Sequence, residues 1–545
     1  MKKQYHRILI LFILLPAVFL QGCWISSLPA YAPPATPTPL VLVEPPEIED
    51  TTPSVPPTPG RFTLRYEPAI SMNPLITRNR DNIVLSSLLY ESLFYLDENL
   101  YPIPMLCVGW DTEDNTTFTF EIMPDVAMHD GSTLTAADVA YSINQARRSG
   151  RRHAGKLRTI TSATATDDLT VTIVLESANA RLIRLLDIPI IKSGSSESRL
   201  PPGTGPYIFP AEDAMRLTRF TEYRHYSDLP LTTIHLIECQ DNEITEMFDD
   251  GRLSLLWDDP TDSFDIRINR HHEPRFFNTT AMQYIGFNAN SFVLRNADVR
   301  RAIGLAIEHQ YIVDNIMNVP RPNQTVASPV AISPVFDMYD TFWERRGNDP
   351  LVDMAALFER AGLYDINETS LLEMPDGYGG YSKFTLLFIV NIENSHKLAT
   401  ANYLADRLRS FGLDVTVRAL PWSQFIADLE KGEFDIYYGE TLLGADFNLT
   451  PLLMPGDQNL NFGRTAHTSY KPMIDDFLAA GTQEEVSEAG ESLIREIIVN
   501  APFVPILYKR HAIYSPMGVI TGASPGQSGV FYNFHEWSID LYMLN

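Results

Sequence analysis

Between residues 384 and 438 the chain alternates apolar and amphipathic stretches in an order that few folds accept. The pattern predicts buried strands over 384–390, 413–417 and 434–438, with helices over 396–411 and 422–431 between them. Gly412 and Gly432 follow the two helical runs, where a helix commonly ends through a left-handed residue. A strand that returns beside its predecessor after a helix lies parallel to it. This half of the chain therefore reads as a βαβ unit in an α/β layer.

The earlier half reads differently. Thr117-Phe118-Thr119-Phe120-Glu121-Ile122 alternates with period two, as a half-buried strand must, and 169–175 does the same. Thr135-Ala136-Ala137-Asp138 is a capping box with Asp in place of Glu and predicts a helix from there. Val299, Ala302, Ile303, Ala306 and Ile307 share one helical face. They predict an amphipathic helix capped by Asp298, with Arg300 and Arg301 turned away from the core. At 545 residues and 45% hydrophobic content the chain can build two or three lobes, and it carries no internal repeat that would argue for a solenoid or propeller.

The N-terminus stands apart from this folded body. Lys2, Lys3 and Arg7 precede an apolar run over 8–20, too short to cross a bilayer, so 1–22 reads as a signal peptide. The run ends in Leu20-Gln21-Gly22-Cys23, which resembles the lipobox of bacterial lipoproteins. That resemblance implies a lipidated Cys23 and attachment to the outer face of the cytoplasmic membrane, on the extracellular or periplasmic side. An ordinary secretory signal with an incidental cysteine is the alternative. Residues 29–59 are dense in Pro, Thr, Ala and Ser and cannot bury a core, so 23–60 reads as a lipidated cysteine and an extended tether. No later run is long and apolar enough to span a membrane.

Composition removes several function classes. The 68 Asp and Glu against 42 Lys and Arg give a formal net charge of −26, so no nucleic-acid partner is expected. Cys23, Cys107 and Cys239 form no CxxC and no Cys/His pair at metal-ligand spacing, so neither a metal site nor a cofactor is expected. Cys107 and Cys239 lie in apolar runs and read as buried thiols, a disulfide between them being the alternative. Gly522-Ala523-Ser524-Pro525-Gly526 has the G-x-S-x-G spacing of hydrolases, but Pro525 lacks the N–H that an oxyanion hole needs. Asp365-Ile366-Asn367-Glu368-Thr369 opens like a calcium loop and then places Ser370 where the turn requires Gly. Neither HExxH nor a Walker A sequence occurs. No catalytic residue is assigned, and an enzyme is not expected.

Several segments, taken in order, carry a family resemblance. Met72-Asn73-Pro74-Leu75 is followed by Leu89-Tyr90-Glu91-Ser92-Leu93-Phe94-Tyr95-Leu96-Asp97 and by the run 102–110. The most specific block runs from Phe118-Thr119-Phe120 through Met128-His129-Asp130-Gly131 to Leu134-Thr135-Ala136-Ala137-Asp138-Val139. Gly203-Thr204-Gly205-Pro206-Tyr207, Gly286-Phe287-Asn288 and Asp298-Val299-Arg300-Arg301-Ala302 continue it. This order resembles the family 5 extracellular solute-binding proteins, which include the oligopeptide-, dipeptide- and nickel-binding receptors of ABC importers. The resemblance covers about 61–545. It implies an α/β, two-lobed clamshell of the periplasmic-binding-protein type (type II, large peptide-binding class). On that pattern 61–283 would form the first lobe with an inserted subdomain at about 91–200, 284–510 the second lobe, and 511–545 a return to the first. His129, a lone histidine in a turn before Asp-Gly, reads as a structural residue that satisfies local hydrogen bonds.

The resemblance also implies a function and a site. The function is capture of peptides between closing lobes and delivery to ABC permease subunits by a monomer held to the membrane through its lipid. The alternatives are a surface receptor for signalling peptides and a same-family receptor for a nickel chelate or oligosaccharide. Leu443-Gly444-Ala445-Asp446-Phe447 is similar to the segment whose Asp pairs with a peptide's α-ammonium, although the family's Trp and Pro are absent, so Asp446 is the principal ligand-binding candidate. Trp422 matches a pocket tryptophan in its spacing to Gly432, with a helix-start core aromatic as the alternative. Asn288 ends the strand-like segment at the expected crossing between lobes, where an amide could bond a peptide backbone. Thr77, Arg78 and Asn79 occupy a loop that in the family lies along the ligand, and Arg78 could face a carboxylate.

Overall fold

The computed structural model describes residues 59–544 apart from 149, 260, 262–265, 320, 344–352, 457–459 and 466–467. The expected signal peptide, Cys23 and the expected tether up to residue 58 lie outside the described residues.

Three sheets organise the body. The first joins Thr63–Arg65 parallel to Thr233–Ile237, then Arg216–Arg219 and Tyr207–Ile208 antiparallel. The second is an antiparallel sheet in the order Cys107–Asp111, Thr117–Ile122, Thr170–Leu175, Ile160–Ala165. The alternation predicted for Thr117–Ile122 is observed, with Phe118, Phe120 and Ile122 buried on one face. Helix Ala136–Ala146 packs against this sheet, its start fixed by Asp138, whose Oδ2 accepts from the Thr135 N–H and hydroxyl, both at 2.9 Å.

The third sheet runs Leu256–Asp258, Phe503–Pro516, His272–Phe287, Ile436–Leu442, Leu386–Asn391, Val415–Leu420, with Thr325–Ala327 also on Phe503–Pro516. Leu386–Asn391 is parallel to both of its neighbours, as the βαβ pattern requires. The intervening helices are Ser395–Ser410 and Trp422–Lys431, the latter ended by Gly432 at φ 80°. The last strand starts later than predicted. The Asp435 carboxylate accepts from the Leu387 N–H and the Ser291 hydroxyl, making this stretch a junction rather than a ladder.

The strands His272–Phe287 and Phe503–Pro516 pair along most of their length. Phe277 and Ile513 belong to the core of the N-terminal sheets, while Met282, Tyr284, Phe503 and Tyr508 belong to the core around the α/β layer. The register shifts between Asn278 and Met282, between those two sets of residues. Two long strands thus cross from one lobe to the other. The C-terminal segment returns to the first core through Val530, Phe531, Phe534 and Trp537, and Tyr532 stacks on Tyr95 at 3.8 Å.

Two sequence expectations are corrected. Helix Ala297–Leu305 is capped by Asn296, whose side chain accepts from the Asp298 N–H, so Asp298 lies inside the first turn. Arg300 does not face away. It is buried, and its guanidinium donates to the carbonyls of Leu294 and Arg295 in the turn before this helix and to those of Asn500 and Ala501, which the C-terminus of helix Gln483–Asn500 leaves open. Cys107 and Cys239 are both free and buried.

Candidate ligand-binding cleft

The first helix, Arg80–Leu89, is amphipathic in an unusual sense. Leu85, Leu88 and Leu89 are buried in the first core, whereas Arg80, Ile83, Val84 and Ser87, at helical spacing, line a cavity of about 750 Å³. That volume falls in the range of small-molecule pockets. Beside the helix, the segments 74–80 and 150–158 are tied together. The Arg152 N–H donates to the Leu75 carbonyl at 3.1 Å, Arg78 Nη2 donates to the Gly150 carbonyl at 3.4 Å, and His153 bonds the Pro74 backbone. Arg78, Arg152, His153 and Lys156 all reach the cavity from this pair of segments.

The opposite wall belongs to the second lobe: Leu442, 66% exposed, followed by Leu443–Asp446, then Asn448 and Thr450. Phe277, Thr279 and His511 on the crossing strands and Gln527 on the C-terminal segment complete it, with Gln527 Oε1 accepting from the Thr280 N–H at 2.6 Å.

A charge network lies at the crossing strands, with Lys509 and Asp259 buried and Glu440 reaching the surface. Lys509 Nζ pairs with Asp259 and, at 3.1 Å, with Glu440, which also takes Lys397 Nζ at 2.9 Å and Gln283 Nε2 at 2.9 Å. Burial alone would raise the carboxyls and lower the ammonium, but their mutual attraction outweighs it. Glu440 is held at about 2, Asp259 well below its usual range, and Lys509 above its own. All three are therefore charged at neutral pH.

Asp446 is buried. Its Oδ2 accepts from Asn179 Nδ2 at 2.8 Å and its Oδ1 from the Asn448 N–H at 3.3 Å, and burial raises its carboxyl despite these bonds and the nearby Arg181 guanidinium. Gly444 makes the fold-back of this carboxylate feasible, since a Cβ there would sit 2.4 Å from Asp446 Oδ1. Around it, Arg181 donates to the Phe477 and Ala480 carbonyls at 2.6 and 3.1 Å, and Arg184 Nη2 pairs with Asp337 at 2.6 Å. The segment 179–184 thus bonds directly to the second lobe.

Comparison with known proteins now decides the family. Residues 101–456 match the sequence model of the bacterial extracellular solute-binding proteins, family 5 Middle. The chain belongs to solute-binding protein family 5. Among family relatives, the glutathione-binding protein of Pectobacterium atrosepticum is 23% identical over 45% of this chain and 51% of its own length, so this match spans only about half of that relative. The dipeptide-binding protein of Bacillus subtilis is 22% identical over 68% of this chain and 70% of its own. The Bacillus subtilis oligopeptide-binding protein, solved with a nonapeptide, superposes with a TM-score of 0.62 at 17% identity, covering 88% of this chain and all of that one. The fold is the two-lobed α/β fold of these family 5 proteins.

Of the site residues expected from family 5 sequence patterns, Asp446 and Arg78 border the cavity. The other four lie outside its lining. Asn288 donates to the Gly432 and Phe434 carbonyls at 3.1 and 2.9 Å, which closes the end of a strand. Asn79 caps the first helix by accepting from the Asn82 N–H. Thr77 is buried. Trp422, 58% exposed, stacks on Phe425 at the start of its helix. His129 is structural: its Nε2 bonds the Gly205 carbonyl at 3.0 Å, and burial lowers it to about 4.

The sequence reading did not single out Arg80, Arg152, Lys156, Asp187 and Asp259. A signal was there: 147–158 carries Arg147, Arg148, Arg151, Arg152, Lys156 and Arg158 in a chain that is otherwise acidic.

Proposed function

We propose that this family 5 protein captures peptides between its two lobes outside the cytoplasm and delivers them to the permease of an ABC importer, tethered through a lipidated Cys23. The observation that carries the reading is the 750 Å³ cavity walled by both lobes with a buried carboxylate, Asp446, on its side. A ligand ammonium brought beside that carboxylate would supply the counter-charge that burial makes valuable. The register shift between Asn278 and Met282 offers a place for the crossing strands to flex. We assign 61–283 and 511–545 to one lobe and 284–510 to the other.

The relatives that bind glutathione and dipeptides support a short peptide as the ligand. A second reading, a non-peptide solute, is favoured by one observation: Asn179 already donates to Asp446, so a ligand ammonium would have to share or displace it.

Titration of the intact chain with a mixed di- to tetrapeptide pool tests this. Saturable binding that weakens at least tenfold in Asp446→Ala, about 1.4 kcal/mol, supports the α-ammonium assignment. Unchanged affinity in that variant removes it.

A further inference from the structure

Three guanidinium groups face the cleft without a carboxylate partner among the described residues. Arg78 bonds only the Gly150 carbonyl, Arg80 lies 5.4 Å from the centroid of the Trp257 ring with Asp81 and Asp258 near it but not in ion-pair contact, and Arg152 has neither an ion pair nor a side-chain hydrogen bond. They are neighbours in structure as well as in lining, because 74–80 and 150–158 are joined by the Arg152–Leu75 and Arg78–Gly150 bonds. The carboxylates on the same cavity are already engaged. Asp187 is paired with Lys156, Asp475 with Lys471 and Asp259 with Lys509, while Asp446 accepts from Asn179. Glu176, exposed just past Thr170–Leu175, is the remaining acid of the lining.

We propose that the cleft selects solutes bearing a negative charge at the end that meets Arg78, Arg80 and Arg152. Resting on the peptide reading above, these are acidic peptides, because the terminal carboxylate that every peptide carries answers only one of the three guanidiniums.

A guanidinium tolerates exposure to bulk water, but a cleft that closes removes that water, and an uncompensated charge left inside is costly. Arg152 is exposed in the open cleft, and Asp187, the acid whose charge it senses, is held by Lys156. A ligand carboxylate would supply the missing charge, and the planar fork of an arginine matches it bidentately. The basic wall also runs against the chain's overall charge of −26, so its local field acts on a ligand only within about 10 Å, inside the cleft.

The test uses a casein hydrolysate separated by ion exchange into anionic, neutral and cationic peptide pools, with glutarate and citrate as non-peptide anions. Each is titrated against the intact chain and against Arg152→Gln, Arg152→Lys and Arg78→Gln. The anionic pool should bind roughly tenfold more tightly than the neutral one. Arg152→Gln or Arg78→Gln should erase most of that preference, and Arg152→Lys should keep part of it. Neutral or cationic peptides binding as tightly as anionic ones would overturn the charge selection and leave the peptide reading standing. Glutarate or citrate binding while every peptide pool fails would do the reverse. An absence of binding in all pools and both small anions would overturn both.

Discussion

Single residues set the electrostatics of the cleft. Asp446 carries a raised carboxyl, so its protonated form is favoured by folding. The stability linked to that proton is fully present below the ordinary Asp value of 3.8 and is lost as pH rises through the folded value. Replacing it with the neutral Asp446→Asn removes this dependence. The melting temperature of the variant relative to wild type should therefore be highest near pH 7 and fall as pH approaches 4, and a pH-independent difference would contradict the shift. Lys509 works the other way, as the cation shared by Asp259 and Glu440. Lys509→Met should cost about 3 kcal/mol in urea unfolding, because it leaves the buried Asp259 with only His511 beside it, whereas Glu440 keeps Lys397. How much of this was legible depends on locality. A short motif points to Asp446 and a loop position to Arg78, and both border the cavity, but the partner that satisfies Asp446, Asn179, lies 267 positions away along the chain. Likewise Asn288 has the right residue type at the right strand end, and only the fold shows both of its amide hydrogens directed at carbonyls of the junction at 432–434.

At the level of elements, periodicity was a faithful guide where one face is dry. Thr117–Ile122, Ala136–Ala146 and Trp422–Lys431 were all readable, since alternation, a capping box and a terminal glycine are local signals. It misled at Arg300, where a long side chain on an apparently polar face turns inward to serve the carbonyls of a turn and of one helix C-terminus. Two histidines hold elements together in neutral form. His129 joins its turn to Gly205, His309 joins its helix to the Pro505 carbonyl, and burial lowers both to about 4 from 6.5. The unfolded chain takes up these protons first, so stability is fully present above about pH 6.5 and is lost as pH falls toward 4, on the order of 3 kcal/mol for each imidazole. Urea midpoints between pH 7 and 4.5 should show this loss, and His129→Gln should remove its share of the slope while leaving solute affinity unchanged.

At the scale of the molecule, two cores are linked by the crossing strands His272–Phe287 and Phe503–Pro516, and the cavity lies where residues from both lobes converge. That arrangement was expected from motif order. The charge of the cavity was not, because a net −26 averages over the surface and conceals a basic wall built from 78–80 and 152. A solute bound only by the closed form must stabilise the fold by mass action, about 2.7 kcal/mol at a concentration one hundred times its dissociation constant. Everything above turns on whether this cleft holds a peptide. Mass spectrometry of the solute released by denaturing the purified chain, after exposure to a peptide mixture, tests it most directly. Close to one short peptide per chain is the expected result. A stoichiometric sugar or metal chelate in its place, or a chain that takes up no peptide, would contradict it.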